Sequence, residues 1–421
     1  MGFVRVDEVG FDARNPAAVY AEGWQTWSPV RMLRLGEASE QAPDERMQKV
    51  AWRPGKPVPD GVIQAEGVLA IGPREGPARA WFAPDPAREV ATLRVEATGD
   101  RASISADEEV ETVEAPDLGA ALIAVAARLR APAVASVPPG WCSWSYYFER
   151  ITEEAVVENV EAAKRHDLDV EIMQVDDGYE ARIGDWLDPR SGYGSLQRTA
   201  ERIRDAGMRA GVWTAPFLVD PTSDLAARHP DWLLAGVDAG THWGRRMLVL
   251  DVAHRDAADH LAHVFRTFAD WGFTFYKIDF LYAGAMPGLA AYRAGLQLIR
   301  DAVGDEATVL GCGAPLLPSI GLVDAMRVGP DVLQQAPDPQ PETDTLIRIA
   351  GMRSWMNGRL WVNDPDHLVV RAAIRDRERW AEFVDRCAGV ALSGDRLSEL
   401  DERGLELTRH VVSRSRSRSG R

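Results

Sequence analysis

From Gly140 onward the chain alternates short apolar runs with amphipathic stretches, and that alternation constrains the fold more than any other feature. Candidate strands lie at 141–144, 171–175, 210–214, 274–278, 308–311, 325–328, 360–362 and 389–392. Helical periodicity fills most of the gaps, at 153–165, 196–206, 255–269, 289–302, 345–356 and 371–386, and a last helix is expected at 397–411. Short buried strands separated by helices are the pattern of a parallel sheet covered on both faces. Eight such units predict an α/β fold, a TIM (β/α)8 barrel. An open doubly wound sheet is the structural alternative, but no GxGxxG or Walker-type phosphate loop supports a nucleotide site on one.

The first 137 residues have a different texture. Runs at 68–71, 80–82, 92–95 and 102–104 are apolar or alternating and are broken by Gly, Pro and Asp, the pattern of a small β-rich, sandwich-like domain. An apolar helix at 118–129 follows, with Asp117 placed to cap it. The Pro-rich stretch 131–139 reads as a linker. The expected organisation is therefore a β-rich domain over 1–137, a barrel over 138–412 and a disordered Ser/Arg tail over 413–421. A chain of 421 residues has room for one barrel of about 250 residues and a smaller companion.

Composition then removes whole classes of function. Hydrophobic residues make up 46% and charged residues 27%, enough apolar material for a sizeable core. Lys and Arg total 48 against 64 Asp and Glu, and the net charge of −16 repels phosphate backbones and anionic membranes. Neither nucleic acid nor a membrane is an expected partner, and the oligomeric state is left open. No run of eighteen apolar residues is present, and the first twenty residues carry Asp7, Glu8 and Asp12 without an apolar core of a signal peptide. Cys142, Cys312 and Cys387 form no CxxC pair, which fits a reducing compartment; a cytoplasmic location is expected.

In a barrel the residues just past the C-terminal strand ends face the active site. Here those positions carry Asp176 and Asp177, Asp279, Asp331, and Asp364 and Asp366, with Trp144, Trp213 and Cys312 at others. A single Asp there is usually a helix cap or turn residue, the favoured reading of Asp364 and Asp366. Several converging carboxylates suit metal-dependent hydrolysis or glycoside hydrolysis, which needs one ionised and one protonated carboxyl. None of the eight His falls at a strand end, His367 coming closest, so a His-based zinc site is disfavoured. Trp at strand ends favours sugar, because an aromatic face stacks on the apolar face of a pyranose.

Residues 140–331 resemble the α-galactosidases of the melibiase group, retaining glycoside hydrolases of family 36. The resemblance is carried in order by Gly140-Trp141-Cys142-Ser143-Trp144, Gln174-Val175-Asp176-Asp177-Gly178-Tyr179-Glu180, Ile183-Gly184-Asp185-Trp186 and Gly211-Val212-Trp213-Thr214-Ala215-Pro216-Phe217. It continues through Tyr276-Lys277-Ile278-Asp279-Phe280-Leu281, Leu310-Gly311-Cys312-Gly313, Met326-Arg327-Val328-Gly329-Pro330-Asp331 and Trp361-Val362-Asn363-Asp364-Pro365-Asp366. It implies Asp279 as nucleophile and Asp331 as general acid/base. It also implies Asp176 and Asp177 as holders of the 4- and 6-hydroxyls, Lys277, Arg327 and Cys312 as contacts to ring hydroxyls, and Trp213 as an aromatic wall. Trp141 is a candidate subsite wall or barrel packing. Gly23-Trp24-Gln25-Thr26-Trp27-Ser28 looks like the loop with which family members cap the sugar, making Trp27 a candidate contact; the small domain's own core is the other reading of Trp24 and Trp27.

The expected reaction is release of terminal α-D-galactosyl residues from small galactosides through a covalent galactosyl-Asp intermediate, with no metal or organic cofactor. Lys277 and Asp279 are two apart on a strand and point the same way, so the ammonium should lower the nucleophile's pKa. Asp331 must be protonated at rest, in a drier or more negative setting. Transgalactosylation, α-N-acetylgalactosaminidase activity, a non-catalytic sugar-binding role and a metal-dependent hydrolase are the alternatives. Compared with the family pattern, the N-terminal part is short and a C-terminal β-domain is missing or vestigial, which leaves leaving-group preference open.

Overall fold

The computed structural model describes residues 2–12, 14–73, 76–132 and 136–419. Two antiparallel sheets form the N-terminal part. One has the strand order Val4–Gly10, Arg101–Ala106, Thr92–Thr98, Ile63–Glu66; the other runs Arg31–Arg34, Ala18–Ala21, Val68–Gly72, Ala78–Phe82, Glu111–Ala115. Side chains alternate faces along a strand, and here both faces of the five-stranded sheet are used. Val19, Leu69, Ile71 and Trp81 point inward and pack with Ile63, Leu93, Val95 and Ile104 of the other sheet. Tyr20, Val68, Ala70, Ala80 and Phe82 point the other way, into one continuous core with the helix Leu118–Arg128 and the outer layer of the barrel. That double burial explains why the strand Val68–Gly72 is apolar throughout instead of alternating. The expected cap on the helix is present, Asp117 accepting from the Ala120 N–H at 2.8 Å.

The second part is TIM-barrel-like. Eight strands, Gly140–Cys142, Ile172–Val175, Arg209–Thr214, Phe273–Ile278, Thr308–Gly311, Ala325–Arg327, Val362–Asp364 and Leu392–Ser393, lie in one sheet in sequence order, and every pairing in it is parallel. The eighth strand also pairs with the first. The seventh and eighth are linked by hydrogen bonds from Val390 N to Asn363 O and from Leu368 N to Leu392 O, both 2.8 Å. Gly389 permits that closure, since a Cβ there would stand 2.1 Å from the Asn363 carbonyl oxygen. Helices follow at Glu153–Arg165, Leu196–Asp205, Arg255–Trp271, Leu289–Val303, Thr343–Met352 and Arg377–Cys387. After the fifth strand a single 3-10 turn, Leu317–Ser319, stands where a helix would complete the repeat.

Period-two alternation sorts the barrel strands as well. Cys142, Ile172, Phe275, Leu310, Ala325, Val362 and Leu392 fill the barrel interior. Trp141, Met173, Val175, Val212, Tyr276, Ile278, Val309 and Met326 face the helices.

The C-terminal run corrects one expectation. The helix Glu402–Ser419 carries the Ser/Arg segment, so residues 413–419 are not a disordered tail. Acidic partners on the barrel hold it: Ser413 Oγ donates to Asp169 at 2.8 Å, Arg416 pairs with Asp169 (2.6 Å) and Glu171 (3.1 Å), and Arg418 with Asp385 (3.1 Å). Alternating Ser and Arg hide that register in a one-dimensional reading. Residues 420–421 and linker residues 133–135 lie outside the described residues. Among the described residues no helix is long and apolar enough to cross a membrane.

Candidate active site

The interior parity of each strand continues past its C-terminal end, and that places the chemistry. Ile172, Gln174 and Asp176 share one face, as do Phe275, Lys277 and Asp279, Leu310 and Cys312, Ala325 and Arg327, and Val362 and Asp364. They surround a cavity of about 410 Å³ lined by Asp176, Asp177, Trp213, Lys277, Asp279 and Asp331, with Trp27, Trp144, Trp243 and Phe280 as its aromatic surface. Arg46, Glu149, His242, Gln334 and Gln335 add a polar part to the lining.

Asp279 is buried, and both its oxygens are engaged. Trp213 Nε1 donates to Oδ2 at 3.0 Å and the Phe280 N–H donates to Oδ1 at 2.7 Å. Phe280 sits at φ +51, which turns that N–H back toward the carboxylate. Burial raises the Asp279 pKa, and the opposing pull of Lys277 and the Trp213 hydrogen bond does not cancel it. Lys277 pulls the value down as expected, but burial outweighs it and the net shift is upward; the ammonium itself lies 2.9 Å from Asp176.

Asp176 accepts from Lys277, from Gln174 Nε2 (2.6 Å) and from Cys142 Sγ (3.2 Å), while its Oδ1 accepts from the Asp177 N–H (3.0 Å). Burial would raise its pKa, yet Lys277 and these donors hold the carboxyl below the ordinary range. Asp177 behaves oppositely. Burial and the neighbouring Glu180 push it well up, although Trp243 Nε1 donates to it at 2.8 Å. Two adjacent carboxyls thus differ in proton affinity, one anionic and one biased toward the acid.

Asp331 accepts from Arg327 Nη1 at 2.9 Å; burial and the neighbouring Asp366 raise its pKa. Cys312 lies fully buried beside Asp279, its thiol pushed well up by burial and that carboxyl, and it is not among the cavity-lining residues. Arg327 is likewise behind the wall, its guanidinium turned to Asp331, Asp364 and Asp366. Trp141 is a packing residue. Strand alternation turns it out of the barrel, where its ring meets Tyr147 and its Nε1 donates to the Asp395 carbonyl at 2.7 Å.

Trp27 reaches the cavity from the N-terminal part. Its ring packs edge-on against Phe280, centroids 5.3 Å apart, and against Tyr282 at 6.4 Å. Buried Arg353 pins the loop by donating to Thr26 O (2.6 Å) and Glu22 Oε1 (2.8 Å), and the Thr26 N–H donates to Ala314 O (3.1 Å). Gly313, at φ +55, leaves room for the indole, since a Cβ there would be 2.8 Å from Trp27 Cη2. Trp24 faces away and is covered by Arg53, its guanidinium carbon 4.8 Å from the ring centre.

Trp243, His242 and Arg353 were missed by sequence reasoning. The first two sit in the 40-residue connection between the third strand and its helix, on the hairpin Thr241–His242/Arg245–Arg246 with Gly240 before it and Gly244 in its turn; a Trp between glycines in so long a connection was the available signal. His242 is pushed down to about 4 by burial and Arg46, so it is neutral near pH 7. Arg353 follows a helix and carries no local signal. Among the described residues no cluster of three or more His, Cys, Asp or Glu is disposed to hold a metal ion.

The family model described as Melibiase matches residues 141–280. An α-galactosidase from Geobacillus stearothermophilus, AgaA, is 29% identical over 127 residues, covering 28% of this chain and 17% of that protein. An Escherichia coli α-galactosidase is 31% identical over 102 residues, covering 22% and 14%. These matched segments thus span less than a fifth of the two relatives. In structure the chain is similar to TtGalA, an α-galactosidase from Thermus thermophilus solved with p-nitrophenyl α-D-galactopyranoside, at TM-score 0.83 and 28% identity, covering 98% of this chain and 89% of that one. The G. stearothermophilus AgaA crystal structure shares the fold at TM-score 0.70 and 15% identity, covering 98% and 62%.

Proposed function

Because the chain belongs to the melibiase group of glycoside hydrolases, family 36, we propose that it removes terminal α-D-galactosyl residues from small galactosides with retention of configuration. One observation carries the reading: Asp279 and Asp331 line one aromatic-walled cavity, each buried enough to raise its proton affinity and each with its own donors. Asp279 is held by two N–H donors that favour its ionised form. Asp331 shares its guanidinium with two further carboxylates, a setting that favours the protonated form.

In the first step an Asp279 oxygen bonds to the anomeric carbon as the glycosidic bond breaks, and the Asp331 proton passes to the leaving oxygen. Water then attacks the anomeric carbon, Asp331 takes its proton, and the bond to Asp279 breaks. Retention requires the two carboxyls about 5–5.5 Å apart. Asp176 and Asp177 hold the 4- and 6-hydroxyls, with Lys277 beside them, so that an axial O4 is preferred. The TtGalA structures with an aryl α-galactoside and with stachyose support galactosides as the substrate class. Gln334 and Gln335, just past Asp331, offer amides to leaving-group hydroxyls. Within this reading residues 138–412 form a (β/α)8-like catalytic domain and 1–137 the domain that delivers Trp27.

The test is nitrophenol release from the aryl α-D-galactopyranoside, with the α-glucoside and β-galactoside as controls, and proton NMR of the first sugar formed. Turnover of the α-galactoside alone, giving the α-anomer first, supports the reading. The β-anomer first refutes retention, and inactivity on all three refutes hydrolysis.

A further inference from the structure

Arg327 is completely buried and faces three carboxylates. Its Nε donates to Asp364 Oδ2 at 3.1 Å and its Nη1 to Asp331 Oδ1 at 2.9 Å. Its Nη2 lies 2.6 Å from Asp366 Oδ1, an ion pair too bent for a hydrogen bond. One guanidinium cannot neutralise three carboxylates, so the cluster holds an excess of negative charge that a proton relieves. Asp331 is the member open to the cavity: its side chain is 31% exposed, against 4% for Asp364 and 0% for Asp366.

Asp366 does more than share the guanidinium. Its Oδ2 accepts from the N–H of Val332, the residue directly after Asp331. Its Oδ1 also lies 3.2 Å from His367 Nδ1, which is hydrogen-bonded to Ser145 Oγ at 2.8 Å. Its backbone is at φ +85, a region that few residue types other than Gly, Asn and Asp enter readily. The turn role expected for this region belongs to Asp364, whose Oδ1 accepts from the Asp366 N–H at 2.9 Å.

We propose that Asp366 is a positioning residue for the acid/base: it clamps the Asp331 segment through Val332 and, as the anion across Arg327, keeps the proton on Asp331 until the leaving oxygen takes it. This builds on the reading of Asp331 as general acid. When the glycosidic bond breaks, the proton leaves Asp331 and Arg327 Nη1 becomes the counter-ion of the new carboxylate; the attacking water later returns a proton to it. The other groups facing Asp331 are Lys277 and Asp279 from the fourth strand, Cys312 after the fifth, and Asp364 and His367 from the seventh strand and its loop. Burial pushes His367 down to about 3, so it stays neutral across the range that matters.

The test titrates the Asp331 carboxyl directly, by carbon NMR of full-length chain labelled at the aspartate carboxyls, with Asp331→Asn giving the assignment. Asp366→Asn suits the positive φ, which Asn tolerates, and Asp366→Glu keeps the charge while displacing the Val332 clamp. In the wild type Asp331 should titrate above the ordinary aspartate range. In Asp366→Asn its midpoint should fall by about one pH unit, the basic limb of kcat/KM moving down with it, while Asp366→Glu should keep the wild-type midpoint. A wild-type Asp331 in the ordinary range overturns the proposal, and that measurement stands even where a variant fails to fold. An unchanged midpoint in Asp366→Asn overturns it too, however far activity has dropped, because a purely structural clamp would do that. A wild type that releases no nitrophenol refutes the hydrolase reading, and the carboxyl titration still decides the role of Asp366.

Discussion

Lys277 gives its ammonium to Asp176 at 2.9 Å, reaching past the intervening third strand to the end of the second, and not to Asp279 two residues along its own strand. The pair is fully enclosed, with 4% of the lysine side chain and 2% of the aspartate exposed. The Asp176 carboxylate is thereby kept ionised at the floor of the cavity, while Asp279 accepts from two neutral N–H donors and feels Lys277 as the weaker opponent of its burial.

Removing one partner of such a pair strands the other. Lys277→Met should destabilise the chain by about 3–5 kcal/mol and abolish turnover of the aryl α-galactoside. A melting curve that overlays the wild type would contradict the ion pair as described.

Trp213→Phe deletes the indole donor to Asp279 Oδ2 while keeping an aromatic wall. A hydrogen bond to a charged group is worth about 1.5–3 kcal/mol, so kcat/KM should fall roughly tenfold to a hundredfold. The sign of the pH effect is set as well. Loss of a donor disfavours the carboxylate, the Asp279 pKa rises further, and the acid limb of the pH profile moves to higher pH. A limb that stays in place would contradict the role of that N–H.

Gly313→Ala tests the delivery of Trp27. The new methyl would press on the Trp27 ring and on the Phe280 backbone, and φ +55 disfavours alanine independently. A loss of about 1–2 kcal/mol is expected, with KM for the aryl galactoside raised more than kcat is lowered. Equal effects on both parameters would place Trp27 outside the sugar site.

His367 is buried and neutral, its pKa pushed down to about 3. An unfolded His binds its proton near pH 6.5, so between about pH 6.5 and 3 the unfolded state takes up the proton and the folded state does not. Stability therefore falls with falling pH, by of order 4 kcal/mol at pH 3 from this group alone. His367→Gln should flatten that part of the curve in denaturant melts at stepped pH. A slope identical to the wild type would show that other groups govern acid unfolding.

Much of this molecule is legible in one dimension. The eight-strand alternation, the Asp117 cap and the strand-end positions of Asp176, Asp279 and Asp331 follow from hydrophobic period and local turn chemistry, which act over a few residues. Strand parity could also have turned Trp141 away from the cavity. The Ser/Arg segment misled because low complexity says nothing about what a neighbouring surface offers; Asp169, Glu171 and Asp385 await it there.

Which residue types stand at which strand ends, and so a barrel rim rich in carboxyl groups, is a local property of the chain. Their partners are fixed in three dimensions: Lys277 with Asp176, Arg327 among three carboxylates, Asp366 on Val332, and Trp243 on Asp177 from a hairpin 66 residues away. The physical reason is that proton affinity depends on burial and on charges within a few ångströms. Those distances are set by strands up to 101 residues apart in the chain, and no local pattern encodes them.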